Sequence, residues 1–232
     1  MIVVQVKNHS TIVSDADVAK VVAAGQKQID RDFGPVYGIK AAVHFAAKDA
    51  ALSAYDWQLI VVDDADQAGA LGYHDVAANG SPIGYCFAKT TRDDGGNWQV
   101  TFSHELLELL ADPEINLCAL DESGQKLYAY EACDACEDDS LAYVIDGVHV
   151  SDFVLPAFWL SSTPVHAPLS FTGAMKKPLQ ILPGGYLAFL DLRNAAAGWQ
   201  QHTARLDGAA SKNSRFPRRG IPAADRKKSV TE

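Results

Sequence analysis

The segment Val100–Glu114, VTFSHELLELLADPE, limits the fold more than any other stretch of the chain. Proline at 113 bars the residue before it from the α region, so a helix through this segment ends at about Asp112. Residues four apart stack on one side of a helix, which sets His104 and Glu108 one above the other. Glu105, one residue on, lies about 100° round the axis. Phe102, Leu106, Leu109 and Leu110 fall largely on the opposite side. The pattern predicts a mid-chain helix that anchors one face in a core and presents His and Glu from the other. The plain alternative is a solvated acidic helix face, because five letters of the form H-E-x-x-E arise readily by chance.

Around that helix the chain reads as strands first and irregular structure later. Ile2–Val6 is a short β-rich run. A helix capped by Ser14 and Asp15 then places Val18, Val21, Val22 and Ile29 near one face and stops before Gly34-Pro35. AAVHFAA, WQLIVVDD, AGALGYHDV and PIGYCFAKTT read as further strands, the last as a sheet edge beside which an extended peptide can lie. Beyond Pro113, QKLYAYEACDAC begins as a strand. LAYVIDGVHVSDFVL reads as a hairpin turning at Asp146-Gly147, and GGYLAFLDL is a late strand. This is an α+β chain, a mixed sheet packed on helices, with the chemistry-bearing helix mid-chain and an irregular C-terminal half. Residues 1–200 are expected to form one domain, divided at the helix end into 1–113 and 114–200. Residues 201–232 read as a basic flexible tail.

Charge follows that division. The chain carries a net −9, yet from residue 202 onward eight Lys/Arg stand against three Asp/Glu. An acidic body argues against nucleic acid as a partner, and the tail has little aromatic interleaving. No run of eighteen apolar residues exists, so no membrane span is expected. The N-terminus, MIVVQVKNHST, has neither a basic region nor a long apolar run, which points to the cytoplasm. Cys86, Cys118, Cys133 and Cys136 are then expected as thiols, and the C-x-x-C of Cys133 and Cys136 as coincidence.

A His and a Glu four apart can hold one ion from the same side, while Glu105 reaches a metal-bound water without binding the metal. Carboxylate is a legitimate zinc ligand at about 2.0–2.2 Å. In place of a second imidazole it adds negative charge and shifts preference toward Mn or Fe(II). Three protein ligands are usual at a catalytic zinc, and Asp112, Glu114, Glu131 and Asp134 compete for the third place. Pro113 makes Asp112 a residue that caps or turns as readily as it ligates. His74 and Tyr73, at the end of an upstream strand, are candidate substrate contacts.

FSHELLELLADP, Phe102–Pro113, resembles the active helix of zincin-type metallopeptidases in an H-E-x-x-E form. It is also similar to bacterial and phage-encoded proteins in which a Ser-His-Glu-Leu-Leu-Glu-x-x-Ala-Asp-Pro helix precedes two further segments. Here those segments are YEACD, Tyr130–Asp134, and VSDFVLP, Val150–Pro156. The resemblance spans roughly residues 57–160. It implies a zincin-like fold, His104 as a metal ligand and Glu105 as general base. The separation of Glu131 from Glu108 is similar to that of the third ligand in one zincin group, which favours Glu131, with Asp134 next. Glu114 matches another group's spacing but lacks its helix-breaking glycine. The expected protein is a metal-dependent hydrolase, a peptidase with zinc first and Mn or Fe as alternatives, acting on a peptide or protein. The competing expectation is a non-catalytic zincin-like binding module or phage accessory protein, virion-associated if phage-encoded.

Overall fold

The structure is a computed structural model and describes residues 1–53, 55–67, 69–161 and 167–204. The first strand, β1 (Ile2–Asn8), leads into helix α1 (Asp15–Gln28). Ser14 caps α1, accepting from the Asp17 amide while the Asp17 carboxylate accepts from the Ser14 amide, a reciprocal capping box. The helix does not stop before Gly34-Pro35. It widens into a π-turn at Ile29–Phe33 and runs on through α2 (Gly34–Tyr37). The reason is local. The Gly34 amide reaches the Ile29 carbonyl, and a Cβ on Gly34 would sit 2.6 Å from that oxygen. Pro35 then occupies a first-turn position, where a missing N–H costs nothing. Gly38, at φ 70°, ends the helix.

Strands β2 (Ala41–Ala46), β3 (Trp57–Val62), β4 (Gly72–Val76) and β5 (Pro82–Phe87) join β1 in one sheet of order β2-β1-β3-β5-β4. All neighbours are parallel except β4, which runs antiparallel to β5 at the edge. The expected edge strand is therefore interior, and β4 takes the edge. PIGYCFAKTT also divides. Its last four residues start helix α3 (Ala88–Asp93), because the amides of Lys89 and Thr90 bond to the Asp63 carbonyl instead of continuing the ladder.

Helix α4 (Trp98–Ala111) lies against β5, β4 and β3 and touches α1, which covers β2 and β1. The two helices approach closely at Gly25, where a Cβ would meet Leu106 Cδ2 at 2.8 Å. Val4, Val6, Leu59, Val61 and Cys86 point from the sheet into this layer together with Phe102, Leu106 and Leu109.

The C-terminal half contains an antiparallel sheet of order β11-β10-β7-β6, formed by β6 (Cys118–Asp121), β7 (Lys126–Ala129), β10 (Tyr186–Asp191) and β11 (Trp199–Thr203). The hairpin β8 (Tyr143–Ile145) and β9 (Val148–Val150) turns at Asp146-Gly147, both with positive φ, as expected. Strand β11 runs to Thr203, past the expected start of the tail at 201; the tail from residue 205 lies outside the described residues. Strand β9 packs on α1 and α4, and Ala132, Cys133, Val150 and Phe153 join the same apolar core as the first sheet. Helix α4 is thus enclosed between the sheet and the C-terminal half, and thirteen of its fourteen residues are buried. The architecture is mixed α+β. Among the described residues no helix is long and apolar enough to cross a membrane.

Candidate metal centre

Enclosure of α4 turns its His/Glu face into a buried site. His104, Glu105 and Glu108 have 3%, 0% and 0% exposure, although polar residues of this kind are rarely buried without a partner. The lid over them is the segment after β7. The amides of Cys133 and Asp134 donate to Glu108 Oε1 at 3.0 and 3.2 Å. Residues Asp134–Cys136 form a 3₁₀ turn. That turn is pressed against the start of β10 at Gly185, where a Cβ would lie 2.7 Å from the carbonyl oxygens of Asp134 and Ala135. The Val154 amide bonds to the Ala132 carbonyl, so VSDFVLP holds the lid from behind. Within VSDFVLP, Asp152 accepts from the Thr172 amide and hydroxyl, a scaffolding role.

His104 Nε2 lies 3.0 Å from Glu108 Oε2 and 3.2 Å from Asp134 Oδ1. The Glu108 and Asp134 carboxyls therefore meet at the same imidazole nitrogen. Two carboxylates cannot share such a contact without a proton or a cation between them. Burial, and then the neighbouring carboxylates, push Glu108, Asp134 and Glu137 well above the usual carboxylate range. The donor atoms of His104, Asp134 and Glu137 lie within 4.8 Å of one another, as do those of His104, Glu108 and Cys133. One imidazole with several carboxylates suits a divalent first-row cation.

The edge strand supplies the other side. Successive β4 side chains alternate across the sheet, so Tyr73 and His74 part company. His74 faces α4. Its Nδ1 is 3.9 Å from Glu105 Oε2, and its Nε2 is 3.8 Å from Glu131 Oε2 and 3.1 Å from the Asp112 carbonyl. A carbonyl only accepts, so Nε2 carries the proton and Nδ1 is directed at Glu105. Tyr73 packs on the far face with Ala70 and Phe87 and donates to Asp66 Oδ2 at 2.7 Å, away from the site. Gly72 makes room for Glu105, because a Cβ there would stand 2.7 Å from both Glu105 Oε1 and the Tyr85 carbonyl. Gly72→Ala should therefore cost about 1–3 kcal/mol, the range of overpacking in a core. Equal denaturation midpoints for the variant and the parent would show that the contact is not limiting.

Of the four competitors for the third ligand, Asp134 stands against His104, while Glu131 stands against His74 and in none of the three-donor groups. By distance to His104, Asp134 stands nearer the proposed centre than Glu131, which was favoured on spacing. Asp112 serves the turn instead, since its carboxylate accepts from the Asn116 and Leu117 amides. Glu114 is exposed and accepts from Asn116 Nδ2. Two donors went unread in the sequence. Cys133, taken as half of a coincidental C-x-x-C, is buried beside Glu108, and its thiol is pushed up by burial first and Glu108 second. Glu137 lay inside an acidic run. It follows Asp134 by three residues through a 3₁₀ turn, in which positions i and i+3 eclipse, and that spacing was the available signal. Comparison of the chain with protein-family models, with curated proteins and with solved structures finds no match.

Proposed function

We propose that this protein is a metal-dependent hydrolase of zincin-like type, acting on a peptide bond, with the ion held by His104, Glu108 and Asp134 and assisted by Glu137. The observation that carries the reading is the contact of the buried Glu108 and Asp134 carboxyls around His104 Nε2, an arrangement that a divalent cation completes. A metal held by these residues would supply Lewis-acid chemistry, polarising a carbonyl and acidifying water. Glu105, on the adjoining side of α4, would accept the proton from water as general base, and Gly72 leaves the room its carboxylate occupies. His74 lines the same side of the site, its Nδ1 3.9 Å from Glu105 Oε2. Glu131 has 12% side-chain exposure against 4% or less for His74, His104, Glu105, Glu108 and Asp134, so the approach to the site runs past it. An extended substrate lies along β4, the edge of the sheet. The four cysteines are free thiols, which suits a reducing cytoplasm.

The burial of the donors favours one other reading, a closed metal centre that stabilises a non-catalytic binding module, since structural sites are closed and catalytic sites keep an open position. Elemental analysis of protein purified without added ions tests the shared premise. Glu108→Gln keeps the shape of the side chain and removes its charge, and should weaken metal binding by about tenfold or more. Unchanged metal content in that variant overturns both readings.

A further inference from the structure

The donors around α4 are too many and too spread for one ion. His104, Asp134 and Glu137 form one group at one end of the site, and His74, Glu105 and Glu108 form another, each with its donor atoms within 4.8 Å of one another. Glu108 stands between them, since it also approaches His104 and Asp134. One ion would need all six donor atoms close together, yet among the described residues they come within 4.8 Å of one another only as two separate sets of three.

We propose that the site has a second cation position, formed by His74 Nδ1, Glu105 and Glu108, next to the first and sharing the Glu108 carboxylate. The proposal rests on the metal-centre reading above and adds an ion to it.

Two observations beyond the cluster support it. The first is the Asp112 carbonyl, which lies outside both groups, at the end of α4, and fixes the His74 tautomer at 3.1 Å. Metal-bound histidines nearly always donate their other ring N–H to a carbonyl or carboxylate, and that is the arrangement here, with Nδ1 turned toward Glu105. The second is Glu137. Its Oε1 is buried with no hydrogen-bond partner among the described residues, and its carboxyl belongs to the His104 and Asp134 group. Glu137 therefore supplies the first ion with a third donor that does not come from Glu108. Charge agrees with the count. Glu105, Glu108, Asp134 and Glu137 bring four negative charges when ionised, and two divalent ions bring four positive ones. The chemical class is a divalent cation tolerant of carboxylate and imidazole together, such as Mn(II) or Zn(II). When the second ion binds, Glu105 becomes a ligand and ceases to be available as a base, so excess metal switches the hydrolase off.

The test uses the full chain stripped of metal and titrated with Mn(II), read by isothermal calorimetry and by electron paramagnetic resonance. Two ions per chain are expected, the second bound at least tenfold more weakly, with the spin-coupled spectrum of two ions bridged by a carboxylate. Glu105→Gln is isosteric and His74→Asn keeps a polar group. Each should lose the weaker ion and the coupling while keeping the tighter ion. One ion in the parent chain, removed by His104→Ala, overturns the second position and leaves the metal centre standing. No ion overturns both. Loss of the tighter ion in Glu105→Gln also overturns the assignment.

Discussion

Removing metal at pH 7.5 should lower the melting temperature of the full chain by about 8–16 °C. An ion at a thousandfold excess over its dissociation constant stabilises the folded state by about 4 kcal/mol. A chain of this size shifts by roughly 2–4 °C per kcal/mol. The pH dependence has a fixed sign. Burial and mutual repulsion raise Glu108, Asp134 and Glu137 above the usual carboxylate range in the metal-free fold. A raised carboxyl contributes stability that is fully present below its unfolded pKa and is lost as pH rises through its folded one. The metal-free protein should therefore weaken steadily from about pH 4 upward, where unfolded carboxyls ionise. The metal-loaded protein should hold its stability, because the cation replaces the shared proton. The gap between the two, followed by circular dichroism melts, should be small at pH 5 and wide at pH 7.5. Coincident melts at pH 7.5, or a metal-free form that gains stability between pH 5 and 7.5, would count against a cation among these carboxyls.

The second large effect separates catalysis from structure. Glu105→Gln should keep the tight ion and lower hydrolysis of a fluorogenic peptide library by about a hundredfold to ten-thousandfold, the usual contribution of a general base. The amide fills the same space against Gly72 and cannot take a proton. A variant as active as the parent removes Glu105 from the chemistry. Absence of hydrolysis in the parent, with the metal present, favours the closed, non-catalytic centre.

Much of this was legible in the chain because short-range geometry decides it. The i, i+4 pairing of His104 and Glu108, the end of α4 near Pro113 and the Asp146-Gly147 hairpin follow from local rules. What local rules leave open is decided by distant segments. Periodicity showed an apolar and a polar face on α4, but not that residues 131–137 would fold over the polar one and bury it. Which carboxylate stands nearest His104 depends on that lid. Spacing favoured Glu131, whereas the 3₁₀ turn and the amides on Glu108 bring Asp134 to His104. The parity of β4 likewise separates His74 from Tyr73, which no local signal distinguished as neighbours in a strand read only by its composition. Gly34-Pro35 misled because the pair usually ends helices, and here a π-turn absorbs it.

The contact of Gly185, just before β10, with the 3₁₀ turn would tie the affinity of the proposed centre to something outside the site. His104 and Glu108 belong to one half of the chain, and Asp134 and Glu137 to the other, so an ion held among them would fasten the two halves like a clasp. Coupling of this kind is reciprocal, and whatever free energy the ion adds to the docking of the halves, their docking returns to the ion. A larger residue at 185, which pushes on the carbonyl oxygens of Asp134 and Ala135, should therefore release metal with every donor side chain left unreplaced. Hydrogen exchange in Tyr186–Asp191 should quicken when the metal is removed, so that a strand remote from the chemistry reports the occupancy of the centre.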